Sequence, residues 1–142
     1  MRNLAGIDLK LENLIKYFKA NKKIITAYIF GSFGTEKQTA MSDIDIAVLY
    51  ESDISVMEEL KHASEISSIL QTDKVDVINL NTAPVYTRHQ VLYSGAKIFE
   101  RSPIQTADFV ENVLEEYHDY EFILRKYMED YEQGLAEEYA ND

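Results

Sequence analysis

The 142 residues predict an α/β (α+β) fold, a short mixed sheet covered by helices and completed by a long C-terminal helix. Three observations carry this expectation. Apolar residues switch along the chain between helical spacing and short β-branched runs. The segments alternate as helix, strand, turn, strand, helix, strand, helix, strand, helix, the order of one layered domain. A 46% hydrophobic fraction with only five glycines and two prolines supplies a core and few breaks. The length fits a single domain over residues 1–142, with its core at about 8–100 and a long acidic helix at about 103–134.

Leu9, Leu11, Leu14, Ile15 and Phe18 mark one face of an opening helix, with Asp8 as its expected N-cap. Ile24 to Phe30 is a short apolar run and reads as a buried strand. It stops at Gly31-Ser32-Phe33-Gly34, where glycine permits backbone geometry that other residues resist. After a polar stretch, Asp43 to Tyr50 alternates, with Ile44, Ile46 and Val48 on one face and Asp43, Asp45 and Ala47 on the other. Ile54, Met57, Leu60, Ala63, Ile66 and Leu70 recur at helical spacing, capped by Ser52 or Asp53. Val75 to Leu80 is a third strand. A helix then begins near Asn81, with Pro84 in its first turn, and ends near Ser94-Gly95. Lys97 to Glu100 reads as an edge strand. From Pro103 a helix runs to about Gln133, where Gly134 is placed to end it.

Composition narrows the chemistry. Without cysteine there are no disulfides, thiol nucleophiles or thiolate metal sites. Every apolar run is far shorter than the roughly 18 residues of a membrane span. Met1-Arg2-Asn3 leads into a polar helix pattern rather than a signal peptide, so a cytoplasmic protein is expected. The net charge is -11, and residues 101–142 carry -9 of it. That segment repels phosphate backbones, which disfavours direct nucleic-acid binding, and it attracts a basic protein or serves as a solvated face.

The informative segment joins Gly31-Ser32 to Asp43-Ile44-Asp45, with ten residues between Ser32 and Asp43. Aspartate is disfavoured in strands, and two at i and i+2 share a face and repel. A cation relieves that repulsion, and hard oxygen ligands this close suit Mg²⁺, which also shares substrate phosphates. A strand ending in Gly-Ser exposes backbone N–H groups and a hydroxyl that can cradle phosphate oxygens. Asp76, on a further strand, can supply a third carboxylate. A phosphate cradle beside metal-binding carboxylates is what nucleotidyl transfer needs. The Walker-type phosphate loop is absent.

Phe30-Gly31-Ser32 with Asp43-Ile44-Asp45, followed by Val75-Asp76-Val77-Ile78, resembles the signature of the polymerase β-like nucleotidyltransferase superfamily, in its minimal (MNT) branch. The resemblance spans roughly residues 24–100. It implies the polymerase β-like fold, catalytic and Mg²⁺-binding roles for Asp43, Asp45 and Asp76, and nucleotide contacts from Gly31, Ser32 and Ser42, with ATP as substrate. Many relatives place Arg-Gly shortly after Gly-Ser, whereas this chain reads Phe33-Gly34-Thr35-Glu36, leaving Lys37 as the nearby substitute. Members of the branch are commonly antitoxins of HEPN-family ribonuclease toxins. Their activity moves AMP from ATP to a toxin tyrosine, here with Asp76 orienting the phenol or taking its proton. The resemblance thus implies a hetero-oligomer with such a toxin, and it leaves a homodimer open. Two alternatives stand beside it: an antitoxin of the same fold that acts by occlusion, and a small-molecule nucleotidyltransferase of the aminoglycoside-modifying kind.

Other residues carry simpler expectations. His62, His89 and His118 share no metal-ligand spacing. Arg88 either reaches a phosphate or pairs with an acid, and Tyr28 and Phe33 read as packing residues. Val110, Val113, Tyr117, Tyr120, Leu124, Tyr127 and Tyr131 form a seam at steps of three and four on the last helix. A helix this long overhangs a compact domain, so its stretch from Leu124 to Leu135 is expected to offer a partner surface rich in tyrosine.

Overall fold

The computed structural model describes residues 2–39 and 43–140. A single helical turn, Ala5–Ile7, leads into α1, Asp8–Ala20. Strands β1, Ile24–Phe30, and β2, Ile44–Tyr50, flank the glycine turn, and α2, Val56–Leu70, crosses to β3, Val75–Asn79. Helix α3, Val85–Ser94, is followed by β4, Ala96–Glu100, and by α4, Pro103–Ala140. The sheet order is β3-β2-β1-β4. β1 runs antiparallel to both β2 and β4, while β2 and β3 are parallel, as a helical crossover between them requires. The mixed sheet, its helical cover and the long last helix agree with the sequence reading.

The central strands are covered on both faces. Leu14 and Phe18 of α1 and Ile66 and Leu70 of α2 pack against Ile29, Ile46, Val48 and Phe99. On the opposite face Ile25, Tyr28, Ala47 and Leu49 pack with Leu80, with Val91 of α3 and with Phe109 of α4. A register irregularity between Ile24 and Thr26 lets both Ile24 and Ala27 face the first core. The polar side of β2 is therefore confined to its first residues, because Ala47 and Leu49 are as buried as their neighbours.

Helix ends depart from expectation. Asp8 is the first residue of α1 rather than its N-cap, because the preceding turn runs straight into helical backbone. Ser55, and neither Ser52 nor Asp53, caps α2: its hydroxyl accepts from the Glu58 N–H at 3.1 Å. Pro84 stands just before α3 at the cap position. The C-terminal carbonyls of α1 are met from afar, since the Arg101 guanidinium donates to Phe18, Lys19 and Asn21.

Helix α4 spans 38 residues, about 57 Å at 1.5 Å per residue. Its first turns are anchored by a buried Thr26–Thr106 hydroxyl bond of 2.6 Å and by buried Val113. The last packed side chain is Tyr117, stacked on His89 with ring centroids 3.5 Å apart. From His118 to Ala140 every residue but Leu135 is exposed, so the overhang begins earlier than Leu124. Gly134 does not end the helix. A lone glycine costs about 1 kcal/mol, and Leu135-Ala136-Glu137-Glu138 beyond it are good helix formers with no proline to stop them.

Candidate active site

The site forms where β1 ends and β2 begins. Gly31 and Gly34 adopt φ of +75° and +77°, a left-handed geometry that favours glycine. Gly31 has a second constraint, since a Cβ there would collide with the Asp45 carboxylate. Gly34 meets the backbone of Asn3, whose N–H donates to the Gly34 carbonyl at 2.8 Å. The turn is closed by Thr35, whose N–H and hydroxyl both donate to the Ser32 carbonyl, and by Gln38, whose side-chain oxygen accepts from the Gly34 N–H.

Asp45 lies between two strand neighbours, opposite Phe30 on β1 and in register with Asp76 on β3. It shares the sheet face of Ala47, two residues on, as Asp76 shares that of Ile78. Asp43 precedes the strand and is exposed. Burial, then the negative charges of Asp76 and Asp43, raise the pKa of Asp45 above the ordinary aspartate value, and Arg2 offsets part of this. The fold thus brings Asp43 and Asp76 within electrostatic reach of Asp45, whose carboxylate lies against the Gly31 backbone.

These residues fit a hard divalent cation. The donors are carboxylate oxygens, and their mutual repulsion is what a cation relieves. Among the described residues no three acidic or histidine side chains are drawn together as a closed metal cage. Mg²⁺ does not need one, because it keeps waters and uses one or two carboxylates together with substrate phosphates.

On the other side of Gly31 opens a cleft of about 760 Å³, lined by Arg2, Gly31, Ser32, Lys37, Gln90 and Gly95 among others. That volume lies within the range of small-molecule sites. Lys37 therefore borders the cleft, as its position after the turn suggested. Ser42 lies outside the described residues. Arg88 does not border this cleft, because it pairs with Glu116 of α4 at 2.6 Å. His62 is buried between Tyr50 and Asn21, His89 is stacked on Tyr117, and His118 is exposed. Tyr28 is core, and Phe33 packs against the first core. The residue that sequence reasoning missed is Arg2. Its guanidinium reaches the turn from 31 positions away, and no local pattern signals such a contact.

The profile of the family described as polymerase beta, nucleotidyltransferase matches residues 12–104, a span that holds β1 to β4, the glycine turn and all three aspartates. The chain belongs to that nucleotidyltransferase family. Two relatives are similar at the sequence level. A Methanocaldococcus jannaschii protein, provisionally named a protein adenylyltransferase, is 34% identical over 58% of this chain and 83% of its own length. The protein adenylyltransferase MntA of Shewanella oneidensis is 32% identical over 65% of this chain and 66% of its own. Among solved structures, a chain of the MntA–HepT toxin–antitoxin complex superposes with a TM-score of 0.69 at 24% identity, covering 87% of this chain and 97% of that one. A chain from the complex of the tri-AMPylated S. oneidensis HEPN toxin with its MNT antitoxin gives 0.70, also at 24% identity, over 87% and 96%. These superpositions carry the fold, including the polymerase β-like sheet with its long C-terminal helix.

Proposed function

We propose that this nucleotidyltransferase moves AMP from ATP to a tyrosine of a HEPN-family toxin and so acts as its antitoxin. The observation that carries the reading is the packing of the Gly31 backbone against Asp45, with Asp43 and Asp76 close enough to raise its pKa. On this reading the turn binds phosphate directly beside a cation site. The S. oneidensis HEPN toxin, tri-AMPylated and in complex with its MNT antitoxin, supports a HEPN toxin as the acceptor.

In this reading Gly31 and Ser32 would hold the triphosphate, with Ser42 as a further nucleotide contact, and Asp43, Asp45 and Asp76 would hold Mg²⁺. When bound, the metal supplies charge stabilisation for the attacking oxygen and for the departing pyrophosphate. The phenol oxygen forms a bond to the α-phosphorus, the α–β bridging bond breaks, and pyrophosphate leaves with the electron pair. Asp76, exposed on the edge strand β3, receives the phenolic proton at a carboxylate oxygen. The overhang of α4 supplies the toxin contact, through Tyr120, Leu124, Tyr127 and Tyr131 within an acidic surface.

The test is to incubate the chain with ATP, Mg²⁺ and a HEPN-family toxin, and to weigh the products. A gain of one or more AMP masses on tyrosine is the expected result. Full neutralisation of an unmodified toxin by Asp43→Asn would assign the antitoxin to occlusion instead.

A further inference from the structure

An arginine from the start of the chain reaches the glycine turn. The two terminal nitrogens of Arg2 donate to the carbonyls of Phe33 at 2.7 Å and Ser94 at 2.9 Å. Those bonds link the turn after β1 to the end of α3, the two walls of the cleft. A guanidinium has five N–H donors, and its bonds to neutral carbonyls leave its charge uncompensated. The Nε atom of Arg2 is buried and has no hydrogen-bond partner among the described residues. None of the ion pairs among the described residues includes Arg2, although Asp45 is near enough to attract it.

Withdrawing an unpaired guanidinium from water is costly, and an arriving anion offsets that cost. A planar cation with unspent donors, lining a cleft of small-molecule size, suits the paired oxygens of a polyphosphate.

We infer that Arg2 is the polyphosphate anchor of this site, binding the phosphates of the nucleotide in the cleft beside Gly31. The inference rests on the nucleotide reading of the site and is independent of the acceptor. Lys37 lines the same cleft.

Calorimetry on the full chain with Mg²⁺ tests it, using ATP, inorganic tripolyphosphate and adenosine as separate probes. Arg2→Gln keeps a donor for a carbonyl and removes the charge. It should weaken ATP and tripolyphosphate by about 10- to 100-fold, the range for losing a hydrogen bond to a charged group, and leave adenosine unchanged. Arg2→Lys should stay within about tenfold of the parent for tripolyphosphate. Equal losses for adenosine and tripolyphosphate would reduce Arg2 to a staple and overturn the inference. So would unchanged ATP affinity in Arg2→Gln, or a parent chain that binds no ATP. Should Arg2→Gln fail to fold, phenylglyoxal labelling of the parent decides: tripolyphosphate must slow modification of Arg2, and an unchanged rate overturns the proposal. Arg2-dependent tripolyphosphate binding without AMP transfer to a toxin would fault only the acceptor.

Discussion

Asp45 on β2 stands in register with Asp76 on β3, so two carboxylates share one sheet face across a parallel pair of strands. Like charges in that position destabilise a sheet, and here burial adds to the penalty. A fold retains such a pair where a ligand cation offsets it. The apo chain is therefore strained electrostatically at the place where the proposed reaction occurs.

Replacing Asp45 with asparagine should raise the melting temperature of the apo chain at pH 7. The folded-state pKa of Asp45 lies above its unfolded value, so its favourable contribution is present at acid pH and is lost as pH rises through the folded pKa. Asparagine removes that loss. The gain should shrink below about pH 4, where the unfolded aspartate is itself protonated. The same variant should lose the Mg²⁺ dependence of ATP binding and at least ~10³-fold in AMP transfer, because charge stabilisation contributes several kcal/mol at such sites. Thermal melts across pH with calorimetry check both halves. An apo melting temperature that falls at pH 7 would contradict the electrostatic account.

Gly31→Ala should damage the site more than its single methyl suggests. A non-glycine residue in the left-handed region costs about 1–2 kcal/mol, and the new Cβ must push the Asp45 carboxylate aside. We expect a lowered melting temperature and at least a tenfold loss of ATP affinity. Gly6→Ala is the control, because nothing lies within 4 Å of a Cβ there and φ is not in the left-handed region. Its melting temperature should match the parent within a degree or two.

The gap between sequence and structure has physical causes. The strands were legible because Ile24 to Phe30 and Ile44 to Tyr50 are apolar runs whose burial follows from composition. The carboxylates were legible because Asp43, Asp45 and Asp76 break the strand pattern. Caps were not, because Ser52, Asp53 and Ser55 are all competent and the choice depends on where the backbone turns helical, at Val56. Gly134 misled because a glycine stops a helix only where its C-terminal neighbours are poor helix formers, and Leu135, Ala136 and Glu137 are good ones. Arg2 was invisible, since its partners Phe33 and Ser94 are 31 and 92 positions away.

His62 predicts acid sensitivity in the core around α1 and α2. The Asn21 amide donates to its Nε2, which leaves Nδ1–H to donate to the Tyr50 hydroxyl, and that arrangement needs the neutral ring. Burial lowers its pKa, with Glu65 and Glu58 opposing the shift in part. The contribution to stability is present above the unfolded value of about 6.5 and is lost as pH falls through the folded value. His62→Gln should therefore flatten the decline in melting temperature between pH 7 and pH 5, at some cost in stability at pH 7. A decline as steep as the parent's would place the acid-sensitive group elsewhere.

The overhang of α4 should separate from the rest of the domain in both folding and binding. Beyond Tyr117 the helix is exposed apart from Leu135, and it carries Tyr120, Leu124, Tyr127 and Tyr131 along the predicted seam. Deleting residues 127–142 removes no side chain of the two cores. The remaining chain should melt within a few degrees of the parent and bind ATP and Mg²⁺ unchanged, because the cleft and the aspartates lie on other elements. A toxin that cleaves RNA presents basic surface, and the net charge of -9 over residues 101–142 attracts it. Association should slow steeply with salt, since exposed charges are screened within about 8 Å at physiological ionic strength. Tyr127→Ala or Tyr131→Ala should instead speed dissociation, because aromatic anchors set residence time more than encounter rate. Surface-bound kinetics at two salt concentrations separate the two effects. If the truncated chain unfolds, the distal helix is needed for folding; if it binds the toxin as tightly as the parent, the contact lies elsewhere on the domain.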